Sequence, residues 1–211
     1  MHDLLNTVEW RLEETLQAFE AHRILNQMCN KADSPELFDL INLYAGFWQP
    51  VGVGLQTALF MGINAILDKR SGDSATLYRC LGLLNERQKE NLPSGFEARL
   101  DEIRSRYARF RHKLFGHNDS RREEVIVEFG DAGFSWDSIG ADLQALKYAL
   151  KVISNLAAGE QVPSIGETDR MIYRHDLATE KTRTDSHAFV ETLRLGIIQQ
   201  NASPRSGTSE T

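Results

Sequence analysis

The run Arg109-Phe110-Arg111-His112-Lys113-Leu114-Phe115-Gly116-His117-Asn118-Asp119 holds the most reactive combination of side chains in the sequence. Arginine stays charged at physiological pH and can hold the negative charge that builds on a phosphorane. Histidine, with an ordinary pKa of about 6.5, can take or give a proton at neutral pH. Together the two residue types can cleave RNA without a metal, one as fixed charge and the other as general acid–base. No other part of the chain offers comparably sharp chemistry.

Spacing alone is weak support. An Arg followed by a His five or six positions later occurs three times: Arg106–His112, Arg111–His117 and Arg170–His175. Arg106 is followed by Tyr107, which belongs to an apolar stripe, and Arg170 by Met171 in a poorly patterned region. Only Arg111 is followed by a polar hydrogen-bonding residue, His112, and lies at the end of a long amphipathic pattern.

That pattern predicts the helix that must position the pair. Phe96, Leu100, Ile103, Tyr107, Phe110 and Leu114 step by four and three, so one narrow stripe is expected to be buried. Ser94-Gly95-Phe96-Glu97 has the form of a capping box at its start, and Gly116 ends it. At about 100° per residue, Arg111 falls about 60° to one side of the stripe and His117 about 60° to the other if the helix continues. His112 falls about 160° away, toward solvent or a partner chain. The plain alternatives are a salt bridge for Arg111 and a helix C-cap for His117, where a cation meets the negative end of the helix dipole.

Charge adds weight. Arg104, Arg106, Arg109, Arg111, Lys113, Arg121 and Arg122 stand between residues 104 and 122 against Asp119 alone, in a chain of net charge −6. A solvated helix face would explain such a run, but acids dominate elsewhere, so the concentration favours a phosphate-bearing partner. Arg104, Arg106, Arg109, Lys113, Arg121 and Arg122 are therefore candidate RNA-binding residues.

Other chemistries find little support. No His has a Glu three positions before it, and there is no HExxH, so neither a metal nor any other cofactor is expected. Nucleophile-elbow, Walker A and Rossmann patterns are missing. Two cysteines, Cys29 and Cys80, without CxxC spacing fit a reduced cytoplasmic protein. Met1-His2-Asp3 opens directly into an amphipathic pattern, so no signal peptide is expected. The most apolar run, Val51 to Leu67, is interrupted by Gln56 and Asn64 and reads as a core helix rather than a membrane span.

The remaining elements read as mostly helical. Leu5, Val8, Leu12, Leu16 and Phe19 predict a helix over residues 3–29. Ser34 and Pro35 open a second, with Leu37, Leu40, Ile41, Tyr44, Phe47 and Trp48 on its apolar side. Pro50 restarts or kinks the chain, and a third helix runs to about Asp68. A short helix is expected over 74–85. Val125 to Phe129 reads as a strand that Phe134-Ser135-Trp136 could pair with. Asp137 can cap a helix carrying Ile139, Leu143, Leu146, Leu150 and Ile153, and a last helix is expected near 186–200. The whole is an all-α helical bundle with at most one small β-hairpin. Residues 1–158 form the bundle, 159–200 a C-terminal helical extension packing on it, and 201–211 a disordered tail.

The Arg111-His112-Lys113-Leu114-Phe115-Gly116-His117 segment resembles the signature of the HEPN superfamily (higher eukaryotes and prokaryotes nucleotide-binding). That signature is an Arg, a polar residue, three to five positions and a His on a late helix of an all-α bundle. Phe47-Trp48, Leu67-Asp68, Leu77-Tyr78 and Gly116-His117-Asn118-Asp119 are similar to the branch related to abortive-infection (Abi U-type) proteins, over about residues 5–158. The resemblance implies a metal-independent endoribonuclease acting as a toxin or phage-defence effector, with two motifs meeting across a homodimer. It implies that Arg111 stabilises the phosphorane, His117 is the general acid or base, and His112 orients the pair or the phosphate. RNA is the implied substrate, and an antitoxin or defence protein the implied partner. Residues 159–200 have no counterpart in that pattern. Some members of the superfamily only bind RNA or protein, so a non-catalytic helical binding module is the second expectation, and an unrelated helical protein the third.

Overall fold

Apolar residues recurring every three or four positions make the chain helical, and their stripes decide which helices meet. The structure, a computed structural model, describes residues 1–28, 30–32, 35–69, 72, 74–110, 134–162 and 174–202. Its fold is all-α, with eight helices and no strand among the described residues. In chain order these are α1 (His2–Met28), α2 (Pro35–Leu43), α3 (Ala45–Ile66), α4 (Leu77–Gly82), α5 (Glu86–Glu90), α6 (Phe96–Phe110), α7 (Trp136–Ala158) and α8 (Arg174–Ala202).

α1 lies at the centre of the packing. It buries the expected Leu5, Val8, Leu12, Leu16 and Phe19 and touches α2, α3, α4, α7 and α8. Against α3, Gly62 faces Thr15. A Cβ at Gly62 would overlap the Thr15 hydroxyl, which is itself bonded to the Arg11 carbonyl at 2.6 Å. The main core joins α1 and the second half of α3 to α4, α6 and α7. A smaller cluster gathers Ile24, Leu25 and Met28 of α1 with Leu37 and Ile41 of α2, covered by Trp48, Val51, Leu55, Val190 and Leu193. α8 is tied to α1 by Arg183, which donates to Glu20 at 2.9 Å.

Several boundaries differ from the sequence expectation, each for a local reason. The break between α2 and α3 falls at Tyr44, and Pro50 lies inside α3. Pro50 has no N–H to give the Gly46 carbonyl, yet the helix continues through both residues and the break falls two positions upstream of Gly46. The expected 74–85 helix is shorter and a second one follows. Thr76 caps α4, and Asn85 with Gln88 forms a capping box that starts α5. Gln88 also donates its side-chain amide to the Leu156 carbonyl at 2.7 Å, near the end of α7. Gly95 (φ +75°), rather than Ser94, immediately precedes α6, and its carbonyl accepts from Arg99 N–H at 2.9 Å.

Ser135, not Asp137, caps α7. The Ser135 hydroxyl accepts from Ser138 N–H at 3.0 Å and Ser138 returns the bond. Trp136 is therefore the first helical residue instead of a strand residue, and the expected Val125–Phe129 strand lies outside the described residues. α7 ends on Gly159 in the left-handed region (φ 76°), a conformation that favours glycine. The last helix begins at Arg174, well before the expected residue 186, because its charged first turns carry little apolar periodicity. The expected tail beyond residue 202 lies outside the described residues.

Candidate nucleic-acid interface

α6 is the element that leads to the Arg–His motif, and its own residues fix how it sits. Phe96, Leu100, Ile103 and Tyr107 are buried, as the stripe predicts. The Tyr107 ring meets Phe60 of α3 at 5.3 Å and Phe134 at 5.1 Å between centroids, both in edge or tilted geometry. Asn64, buried on α3, donates to the Phe60 carbonyl at 2.8 Å and to the Tyr107 carbonyl at 3.3 Å. Asp101 meets Lys69 beyond the end of α3, and Tyr107 meets Phe60 and Asn64, so α6 runs antiparallel to α3.

A buried carboxylate locks the rotation of α6. Asp142 of α7, with its side chain 1% exposed, accepts from Arg99 at 3.0 Å and from Arg106 at 2.7 Å. Glu102, between the two arginines on the same helix face, bonds both, at 2.7 Å and 2.9 Å. Burial pushes the Asp142 carboxyl above its ordinary range, and Arg106 and Arg99 pull it back. Beside it the Tyr107 hydroxyl is buried next to the Asp142 carboxylate, short of good hydrogen-bond geometry. Burial and the Asp142 charge push its ionisation well above the ordinary phenol value.

Another face of α6 carries a more open cluster. Asp101 accepts from Lys69 at 2.6 Å and from the Tyr78 hydroxyl at 2.5 Å, while Lys69 sits 4.4 Å from the centre of the Tyr78 ring. Lys69, then Tyr78, hold the Asp101 carboxyl below its ordinary value. Burial, then Asp101, raise the Tyr78 phenol. Arg104 approaches Asp101 only to 3.7 Å, and its Nε–H is buried without an acceptor.

These contacts divide the sequence-predicted residues. Arg104 lies beside Asp101 with its Nε–H turned into the protein, and the Arg106 guanidinium is already bonded to two carboxylates, with which a phosphate would have to compete. Arg109 belongs to α6, but its side chain lies outside the described residues. Arg111, His112, Lys113, His117, Arg121 and Arg122 also lie outside them. Among the described residues no group of His, Cys, Asp and Glu is placed to hold a metal, and no helix is long and apolar enough to cross a membrane.

Sequence reasoning missed the Asp142 clamp and the Lys69–Tyr78–Asp101 cluster. The seven-residue spacing of Arg99 and Arg106 was a visible signal of one shared helix face, but nothing in the sequence points to Asp142 as their acceptor. No protein-family model, curated protein or solved structure matches this chain.

Proposed function

We propose that the protein is a metal-independent endoribonuclease of HEPN type that acts as a homodimer. The observation that carries this reading is the Arg111-His112…His117 motif directly following α6. Support comes from the way α6 is held. Its buried stripe and the Arg99–Asp142–Arg106 clamp give a rigid base, and a positioned acid–base pair requires one.

In this reading a ribose 2′-hydroxyl attacks the adjacent phosphorus, and an imidazole takes its proton. Arg111 neutralises the phosphorane, and His117 of one protomer or its partner moves the proton to or from the 2′- or 5′-oxygen. His112 orients the pair or the phosphate. The products are a 2′,3′-cyclic phosphate and a 5′-hydroxyl. A cytoplasmic toxin or phage-defence effector restrained by an antitoxin is the setting that fits such an activity.

The non-catalytic alternative, a helical module that binds RNA or protein, has one observation in its favour. Arg106, counted among the local cations, is neutralised inside the bundle, so the basic patch is smaller than the sequence implies. The variants Arg111→Ala and His117→Ala separate the two. Losing a positioned acid–base group typically costs about 100- to 10,000-fold in rate. Both variants should nearly abolish RNA cleavage while circular dichroism stays unchanged. Cleavage at the wild-type rate by His117→Ala rejects the catalytic reading.

A further inference from the structure

Between the start of α6 and the middle of α7 lies a cleft of about 460 Å³. Its wall on α7 includes Ala141, Ala145 and Ala149, which share one side of the helix, and its wall on α6 includes Phe96 and Leu100. An alanine reaches only one carbon from the backbone, so this side of α7 leaves a gap. Leu143, Leu146 and Leu150 on the same helix instead close the core. The cleft has a deep end and a mouth. Phe96, Leu100 and Ala149 are buried, whereas Ala141 and Gln144 are exposed. Arg99 lines the mouth beside Asp142.

We propose that this cleft binds a neutral small molecule of two or three rings. Its volume falls within the roughly 300–1,000 Å³ of small-molecule sites. An apolar cavity of about 150 Å³ already holds one benzene ring, and this cleft is larger and open at one end. From Ala141 to Ala149 it runs about 12 Å, at the helical rise of about 1.5 Å per residue. An apolar lining with a few polar groups at one end, Arg99 and Gln144 among them, is the composition of such sites.

Charge decides for a neutral ligand. The charges gathered at the mouth cancel: Arg99 and Arg106 stand against Asp142 and Glu102, all joined at 2.7–3.0 Å. An entering acid would compete with two carboxylates for the Arg99 guanidinium, and an entering base would meet two arginines. Either would shed its hydration without a net field to replace it. Arg99 belongs both to the cleft and to the Asp142 clamp, so an occupied cleft bears directly on the setting of α6. The binding itself does not depend on RNA cleavage.

Titration of the full chain with N-phenyl-1-naphthylamine tests it, because this neutral three-ring probe brightens on leaving water. Its relative 1-anilinonaphthalene-8-sulfonate adds one negative charge to the same skeleton. We expect saturable one-to-one binding of the neutral probe, at least about 10-fold tighter than that of the sulfonate. Ala145→Leu fills the cleft and should weaken the neutral probe by about 10-fold or more. Ala141→Leu narrows the exposed mouth without touching the core, so the chain keeps its helical content and melting temperature, and the probe should weaken again. A neutral probe that does not bind saturably overturns the proposal, and so does binding that both variants leave unchanged. A sulfonate that binds as tightly as the neutral probe overturns the choice of a neutral ligand.

Discussion

Gly62 and Gly54 lie on one helix eight residues apart and are expected to respond oppositely to the same change. At Gly62 a methyl group has no room against Thr15, whose hydroxyl is held by Arg11, so Gly62→Ala should cost about 1–3 kcal/mol by overpacking. Thr15→Ala in the same chain should return part of that loss, a coupling that a double-mutant cycle of melting experiments reads directly. At Gly54 the space is open and only helix propensity acts, so Gly54→Ala should stabilise the protomer by about 0.5–1 kcal/mol. Neither response is legible in the sequence, where both glycines sit in the same apolar run. The apolar stripe of α6 was legible because its period is local. The Asp142 clamp was not, since an acid 36 residues from Arg106 carries no sequence mark of its partner.

The pairing of α1 with α8 depends on pH through Glu20. Burial raises the Glu20 carboxyl, but the bonds from Arg183 and Arg23 outweigh it and leave the group below its ordinary value of 4.5. Its stabilisation is thus present above that value and is lost as pH falls through the lower folded value. His22, two residues beyond Glu20 on α1, meets the Trp136 ring of α7 at 5.0 Å in tilted geometry and is lowered from 6.5 by burial. It has the same sign, and its loss begins as pH falls below its ordinary value. Asp142, raised by burial, contributes the opposite sign. The melting temperature should therefore fall between pH 7 and pH 4. His22→Phe should remove the upper part of that fall, and Glu20→Gln should reduce the lower part, which Asp101 and Glu102 share. A wild-type profile kept by both variants would refute the assignment. The sequence expectation started this last helix some twelve residues late because Arg174 to Asp185 is dominated by polar side chains. Their ion pairs, such as Lys181–Asp185 at 2.7 Å, support the helix without an apolar stripe.

At the scale of the whole molecule, periodicity carried the all-α class, the order of the long helices and most of the main core. It failed at joints. Ser135 rather than Asp137 caps α7 because both have suitable side chains and only the backbone angles decide, while the breaks at Tyr44 and Gly95 rest on backbone conformation that no apolar period marks. The functional reading joins α6, held by its buried stripe and the Asp142 clamp, to the motif that follows it in sequence, and its centre is the chemistry of strand cleavage. The most direct measurement is the end group left on RNA by the purified protein in EDTA. The account predicts cleavage that persists without divalent metal, leaves a 2′,3′-cyclic phosphate and a 5′-hydroxyl, and stops when the ribose at the cut site is replaced by 2′-deoxyribose. Cleavage that EDTA abolishes, or that proceeds at the 2′-deoxy position, contradicts it.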